Sequence, residues 1–331
     1  MRYSLAPIGC KPWTLNGLSE RLIVSHYENH YGGAVRSLNA VRAELGTGDI
    51  AGMSDFQLRA LKREEQAARA SVALHELYFA TLGGDGATRF AGSGQASSLD
   101  RLLAAALDEQ FGSFATWRQQ FVRLAETLRH GSGWAMLVYS RQDRQLSNQI
   151  TVDDALTMID AVPLLVLDMY EHAYHIDFGA NASAYIDAFM RNIDWHVVGT
   201  RFSEARTSAG AGGQASDSDG IPSVSVEELS TALVQSEHAQ VLDARPKHYF
   251  SRSTDMMHGA HWHDPERIDE WASELKPDGP VYVYCAYGFG VGRGVTALLR
   301  ERGFDAKYVA GGLSAWYAAG GERALKPPGS A

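Results

Sequence analysis

The apolar positions divide the chain into a helical first third, a mixed middle and a strand–helix region beyond a polar break. From 19 to 45, Leu18, Leu22, Ile23, Val35, Leu38 and Val41 share a broad stripe, which predicts an amphipathic helix opened by Ser19 and Glu20 and stopped at Gly46. Gly32-Gly33 in its middle predicts a kink or a close backbone approach. A second helix is predicted from Ser54 to Leu82, ending at Gly83-Gly84, and the pair reads as an antiparallel hairpin. After a Gly/Ser-rich connection at 83–98, helical spacing returns at 99–130 and again at 183–202. Between them, Gly133 to Tyr139 opens a strand-like run. Pro163-Leu164-Leu165-Val166-Leu167 reads as a buried strand that ends abruptly on Asp168.

The clearest boundary lies between Glu204 and Ser223. Its Ser/Ala/Gly/Asp-rich sequence cannot bury a core and reads as a flexible linker. Beyond it, short apolar runs (Val241-Leu242, Val281 to Tyr284, Lys307 to Val309) alternate with helical segments, as in an α/β unit with a parallel sheet. There is no internal repeat.

Composition narrows the function classes. At 331 residues the chain exceeds one ordinary core, and its 45% hydrophobic and 21% charged residues are those of a globular protein. A net charge of −9 argues against a nucleic-acid binder. Two cysteines, Cys10 and Cys285, make no disulfide framework. Neither a signal core nor a bilayer-spanning run is visible, so no membrane partner and a cytoplasmic location are expected.

Candidate chemistry starts at Asp168. His172 follows four residues later, and an oxygen and a nitrogen ligand on one short segment suit iron or manganese. Taken alone, the pair reads first as a strand end with a capping Asp and a core His. His26 and His75 on the two predicted helices read singly as core histidines. Taken in order, His26, His75, Asp168 and His172, with Gly131-Ser132-Gly133-Trp134 and Asp168-Met169-Tyr170-Glu171-His172-Ala173-Tyr174, resemble the iron/manganese superoxide dismutase family over residues 1–202. The resemblance implies a helical-hairpin part at 1–90 and an α/β (α+β) part at 91–203. It also implies one Fe or Mn ion per subunit held by those four residues plus solvent, and conversion of superoxide to dioxygen and hydrogen peroxide. His30 resembles the family's channel histidine. Glu171 and Tyr174 resemble residues that reach a partner subunit, so a homodimer is implied.

The sequence departs from the family around the ligands. Ala34 stands where the family usually has a Tyr near the substrate channel, and Phe79, Met136 and Tyr170 where Trp residues usually wall the site. Ser71 and Asp153 align roughly with the two places from which a Gln usually bonds the coordinated solvent, so both are expected to face it.

After the linker at 204–222, residues 223–325 resemble a rhodanese domain. The matching segments are Val241-Leu242-Asp243-Ala244-Arg245, His258-Gly259-Ala260-His261, Val281 to Cys285, and Val309 to Trp316. The resemblance places Cys285 at a strand end in a Gly-rich loop, where backbone N–H groups at a helix entry form an anion cradle and the sulfur can carry a persulfide. Gly290 replaces a usual loop cation or Thr, Arg293 reads as a capping or solvent-facing residue, and Gly292 as the helix entry. Two readings of Cys285 stand: sulfur transfer with a sulfane-sulfur or oxyanion ligand, or an inactive fold keeping a buried thiol. His258, His261 and His263 read as a loop packed by rings, and Cys10 as an unremarkable thiol.

The function expected from all this is superoxide dismutation fused to a thiol module, in oxidative stress or chromate resistance. The alternatives are a metal- or oxyanion-binding sensor whose dismutase half has lost turnover, or a sulfurtransferase acting through Cys285.

Overall fold

The computed structural model describes residues 2–86, 98–152, 160–207, 220–235 and 238–326. They form two compact units: Gly9–Gly213, and Arg2–Ile8 with Gln214–Ala331. Among the described residues, no helix is long and apolar enough to cross a membrane.

After a 3-10 turn (Pro12–Thr14), the first unit runs through α1 (Glu20–Ser25), a π-helical segment (His26–Tyr31) and α2 (Gly32–Thr47). Ser19 caps α1 by accepting from the Leu22 N–H at 3.1 Å. The predicted irregularity therefore exists, but one turn earlier than expected. Gly32 starts regular helix, and a Cβ on Gly33 would meet only an Arg36 nitrogen at 3.9 Å, so no backbone crowds it. The helix also overruns Gly46 and stops at Gly48, whose N–H bonds the Glu44 carbonyl at 2.9 Å.

Helix α3 (Asp55–Ala80) carries a capping box between Ser54 and Gln57. The Tyr31–Glu76 hydrogen bond (2.7 Å) and the Arg42–Glu65 ion pair (3.4 Å) join the two helices in reversed order, as an antiparallel hairpin requires. The single helical pattern expected at 99–130 is two helices, α4 (Ser98–Phe111) and α5 (Phe114–Glu126). Gly112 turns the chain at φ +81°, and Ser113 caps α5.

Strands β1 (Trp134–Ser140), β2 (Gln145–Thr151) and β3 (Ala161–Asp168) form an antiparallel sheet in the order β2-β1-β3. The register shifts between Leu137 and Val138, opposite Pro163, which has no N–H to give a ladder. Helices α6 (His175–Phe178), α7 (Ala182–Met190) and α8 (Trp195–Thr207) follow. The expected 183–202 helix is thus broken, with Asp194 accepting from the His196 and Val197 N–H groups. Glu204 to Thr207, expected as linker, belong to α8; residues 208–219 of that expected linker, like 87–97 of the earlier connection, lie outside the described residues.

The second unit contains β4 (Ser223–Val224), α9 (Val226–Gln235), β5 (Gln240–Asp243), α10 (Lys247–Phe250), β6 (Asp255–Met257), β7 (His261–Trp262) and α11 (Ile268–Trp271). It continues with β8 (Val281–Tyr284), α12 (Gly290–Glu301), β9 (Ala306–Val309), α13 (Gly312–Ala318) and β10 (Arg323–Leu325). Five strands make a parallel sheet in the order β4-β9-β8-β5-β7, while β10 and β6 pair separately and antiparallel. Its core clusters Leu242, Val281 and Val283 of the strands with Trp271, Val295 and Leu299 of the helices. Helix α12 begins at Gly290, two residues earlier than Gly292 suggested.

One position in the first unit is set by backbone geometry. Gly133 sits at φ +148° before β1, and a Cβ there would lie 2.3 Å from the Thr151 carbonyl oxygen. A Gly133→Ala chain should lose about 2 kcal/mol or more in urea unfolding of this unit, because strained φ and a backbone clash combine. A loss indistinguishable from zero would contradict the packing described for β1 and β2.

Candidate metal centre and loop thiol

Four elements bring the predicted ligands together. The π-helical segment carries His26, α3 carries His75, Asp168 ends β3, and His172 lies on a 3-10 turn (Glu171–Ala173) just beyond. π-Helical turns commonly mark functional positions. Three imidazole Nε2 atoms converge on Asp168 Oδ2: His26 at 3.0 Å, His172 at 3.2 Å and His75 at 3.7 Å. One ligand atom from each residue lies within 4.8 Å of every other, and no further group of three such residues occurs among the described residues. His26 and Asp168 are wholly buried.

The donor set fits a metal ion. His75 Nδ1 faces the Ser71 carbonyl at 2.8 Å, and since a carbonyl only accepts, Nδ1 carries the proton. Nε2 therefore presents a lone pair, and it is buried with no hydrogen-bond partner. Burial holds His26 below its ordinary pKa and His75 down to about 3, so both stand as neutral imidazoles. Burial alone would raise the Asp168 carboxyl, but its side-chain hydrogen bonds with His172 and His26 take it well below the usual carboxylate range. Its other oxygen accepts the Tyr170 N–H at 2.8 Å. Neutral imidazoles at His26 and His75 beside an ionised Asp168 are the protonation states that metal binding requires.

The remaining predicted residues surround this cluster. His30 stacks on His172, ring centroids 3.7 Å apart, and is exposed to solvent. Phe79 lies 5.1 Å from His26, and Tyr170 stacks at 5.5 Å on His172. Met136 is buried on the Trp134 face of β1. Ser71 is a correction. It sits behind His75, bonding its outer nitrogen, and does not face the side on which Nε2 points. Asp153 lies outside the described residues. Glu171 is exposed, whereas Tyr174 is 2% exposed and stacks on Tyr185 at 5.2 Å.

Sequence reasoning missed two wall residues. Trp134 meets His75 edge-on at 5.0 Å, so an indole is kept on that side of the site. Its pairing with Asp168 across β1 and β3 fixes it there, a long-range register that no local pattern reveals. Tyr78 lies 5.0 Å from His26 and accepts from the Tyr185 hydroxyl at 3.2 Å. Its place three residues after His75, on the same helix face, was the available signal.

In the second unit, Cys285 follows β8 and is 6% exposed, its Sγ 3.9 Å from the Phe289 carbonyl oxygen. Gly292 approaches closely enough that a Cβ would lie 3.4 Å from Sγ. The Tyr287 hydroxyl of this loop bonds the Tyr249 hydroxyl at 2.9 Å. Arg293, expected as a capping or solvent-facing residue, lies half-buried over the Tyr308 ring at 5.2 Å in a cation–π contact. Below the loop, Arg245 grips Asp243 with both its Nε and a terminal nitrogen, and the Tyr284 hydroxyl donates to Asp243 at 2.9 Å. His263 stacks on Trp271 at 4.6 Å, as the ring-packed reading of that loop expects.

Residues 99–201 match the model for iron/manganese superoxide dismutases, C-terminal domain, and 225–319 match the rhodanese-like domain. A superoxide dismutase [Fe] from Cupriavidus metallidurans is 48% identical over 205 residues, 62% of this chain and 98% of that protein. The chain belongs to the iron/manganese superoxide dismutase family. A superoxide dismutase [Fe] from Aquifex aeolicus is 33% identical, covering 59% of this chain and 89% of that protein. Superoxide dismutase [Mn] 2 from Haloferax volcanii is 28% identical over 62% of this chain and 98% of its own length. The family thus includes iron and manganese proteins, and a metal cofactor is supported without a choice between the two. This superoxide dismutase family member also carries a rhodanese-like domain with a parallel five-stranded sheet.

Proposed function

We propose that the chain is a superoxide dismutase, with iron or manganese held by His26, His75, Asp168 and His172. The observation that carries this reading is the buried His75 Nε2, which has no hydrogen-bond partner and shares one carboxylate oxygen with two other imidazoles. The bound metal would supply one-electron chemistry, converting superoxide to dioxygen and hydrogen peroxide. The protein's own part is to fix tautomers and to shape access. Ser71 holds His75 so that its lone pair points inward, and the Tyr170 N–H orients Asp168. Trp134, Phe79 and Tyr170 close apolar faces over the imidazoles, while exposed His30, stacked on His172, marks the approach for superoxide. A homodimer through Glu171 and Tyr174, a cytoplasmic location and a role in oxidative stress, including that caused by chromate, complete the reading. Dismutation assays on the full chain loaded with iron, then with manganese, test it: activity with neither metal, at full occupancy, would end it.

We infer a second activity, sulfur transfer through Cys285, from the close fit of the Gly-rich loop around its Sγ. Thiosulfate is a dianion, and residues 286–292 contain no cation. Turnover should therefore show a high Michaelis constant, and Gly290→Arg should lower it roughly tenfold by adding a charge-assisted contact. An unchanged constant in that variant would place the donor elsewhere.

A further inference from the structure

Arg2–Ile8 belong to the same compact unit as residues 214–331, whereas Gly9 opens the other unit. Leu5 and Ile8 are buried, at 6% and 3% exposure. The Leu5 N–H donates to Glu227 Oε1, in the first turn of α9, at 3.2 Å. Two residues on, Pro7 packs against Gly311: a Cβ on that glycine would lie 3.4 Å from both Pro7 Cα and Cβ.

Gly311 is no ordinary surface position. At φ +73° it is the N-cap of α13, and the first turn of α13 holds the Cys285 loop. The Leu313 N–H donates to the Cys285 carbonyl at 2.9 Å, and the Ser314 N–H to the Ala286 carbonyl at 3.0 Å. Gly312 comes so near that a Cβ would lie 2.4 Å from the Cys285 carbonyl oxygen, and one on Gly288 would lie 2.5 Å from the Gly311 nitrogen.

We propose that Arg2–Ile8 form a positioning strap for Cys285, docked on the rhodanese-like unit by the Leu5–Glu227 hydrogen bond and by Pro7 against the Gly311-Gly312 turn. The physical case rests on where freedom resides. Two successive glycines in left-handed conformations are the loosest joint around the loop, since glycine has the most conformational entropy to lose. A proline has a fixed φ, so a ring set against that joint restricts it at little entropic cost to the strap. The strap reaches the sulfur through Pro7 on Gly311 and then through the hydrogen bonds of α13 to the loop. The rhodanese-like unit is thereby completed by a segment that precedes the dismutase ligands in sequence. The partner for this surface is the chain's own residues 2–8.

The experiment is alkylation of the full-length, metal-loaded chain by iodoacetamide, with Cys285 and Cys10 scored separately by peptide mass spectrometry. In Glu227→Ala and in Pro7→Gly, Cys285 should react about tenfold faster than in the parent, the change in open population that losing one hydrogen bond to a carboxylate brings. Metal content should stay at the parent level. A chain lacking residues 2–7 should show the same acceleration, and a synthetic peptide of residues 1–8 should reverse it in a concentration-dependent way. Rates within about twofold of the parent in both substitutions would overturn the strap, because an unrestrained loop is already as open as it can become. A peptide without effect on a folded deletion chain would overturn it too. Should the deletion chain not fold, the two single substitutions decide. The inference leans on the sulfur-transfer reading only through the choice of thiol. A chain that alkylates as expected but takes up no sulfur keeps the strap and loses that activity.

Discussion

The full chain carrying His75→Ala should purify with roughly a tenth or less of the parent's iron or manganese, and dismutation should fall in step. The size of the effect follows from what else holds the ion. Removing His75 takes away the imidazole whose Nε2 has no other hydrogen-bond partner, and leaves a hole beside Trp134 and Asp168 that water can enter. Three remaining ligands would bind an ion that exchanges with solvent on dilution. His172→Ala should behave alike, with a further sign: His30 loses the ring on which it stacks at 3.7 Å. Elemental analysis after gel filtration is the measurement. Full occupancy in either variant would remove the four-ligand reading, whatever the dismutation assay gives.

The largest stability effect is expected in the other unit, at Asp243. Its carboxylate is wholly buried, takes Arg245 in a two-pronged grip and accepts the Tyr284 hydroxyl. Arg245, 2% exposed, is further held by Ser253 Oγ at 2.9 Å and the Asp255 carbonyl at 3.0 Å. Asp243→Ala strands a buried guanidinium, and breaking such a pair costs about 3–5 kcal/mol. Urea unfolding followed through the rhodanese-like unit should show that loss, with Arg245→Met milder than Asp243→Ala only if the freed carboxylate finds water. A change under about 1 kcal/mol would mean that the pair is far better hydrated than its burial indicates.

The parts of the fold legible in sequence were those fixed by local periodicity and punctuation. The helix from Ser54, the buried strand into Asp168 and the strand before Cys285 lie where apolar spacing, capping residues and abrupt polar stops put them. Interruptions were harder. The breaks at Gly112-Ser113 and at Asp194 preserve helical spacing on both sides, so an apolar stripe runs through them unmarked. The π-helical segment at His26–Tyr31 was invisible for a different reason. An extra residue per turn there serves to aim His26 at Asp168, and that target lies 142 positions away. Antiparallel pairing of β6 with β10 and the Trp134–Asp168 register are likewise long-range and have no local signature.

The candidate site divides along the same line. Its four candidate ligands, which the structure brings within 4.8 Å of one another, were legible because the order and spacing of chemically distinctive residues survive in the sequence. The surroundings were legible only as substitutions. Ser71 was expected to face the ligand solvent, but a side chain one helical turn before His75 bonds that imidazole's outer nitrogen instead. Trp134 was visible as a residue and silent as a wall, since only the sheet register sets it beside His75.

Residues 2–8 carry a consequence for how the chain is made. They leave the ribosome before the residues they dock on, since Leu5 bonds Glu227 and Pro7 packs against Gly311. At synthesis rates of about 5–20 residues per second, those partners arrive roughly 10–60 seconds later. Leu5 and Pro7 are thus kept waiting while the whole sequence of the dismutase unit, which lies between, is made. Chain order and folding order are crossed in this protein: the rhodanese-like unit is begun first and closed last.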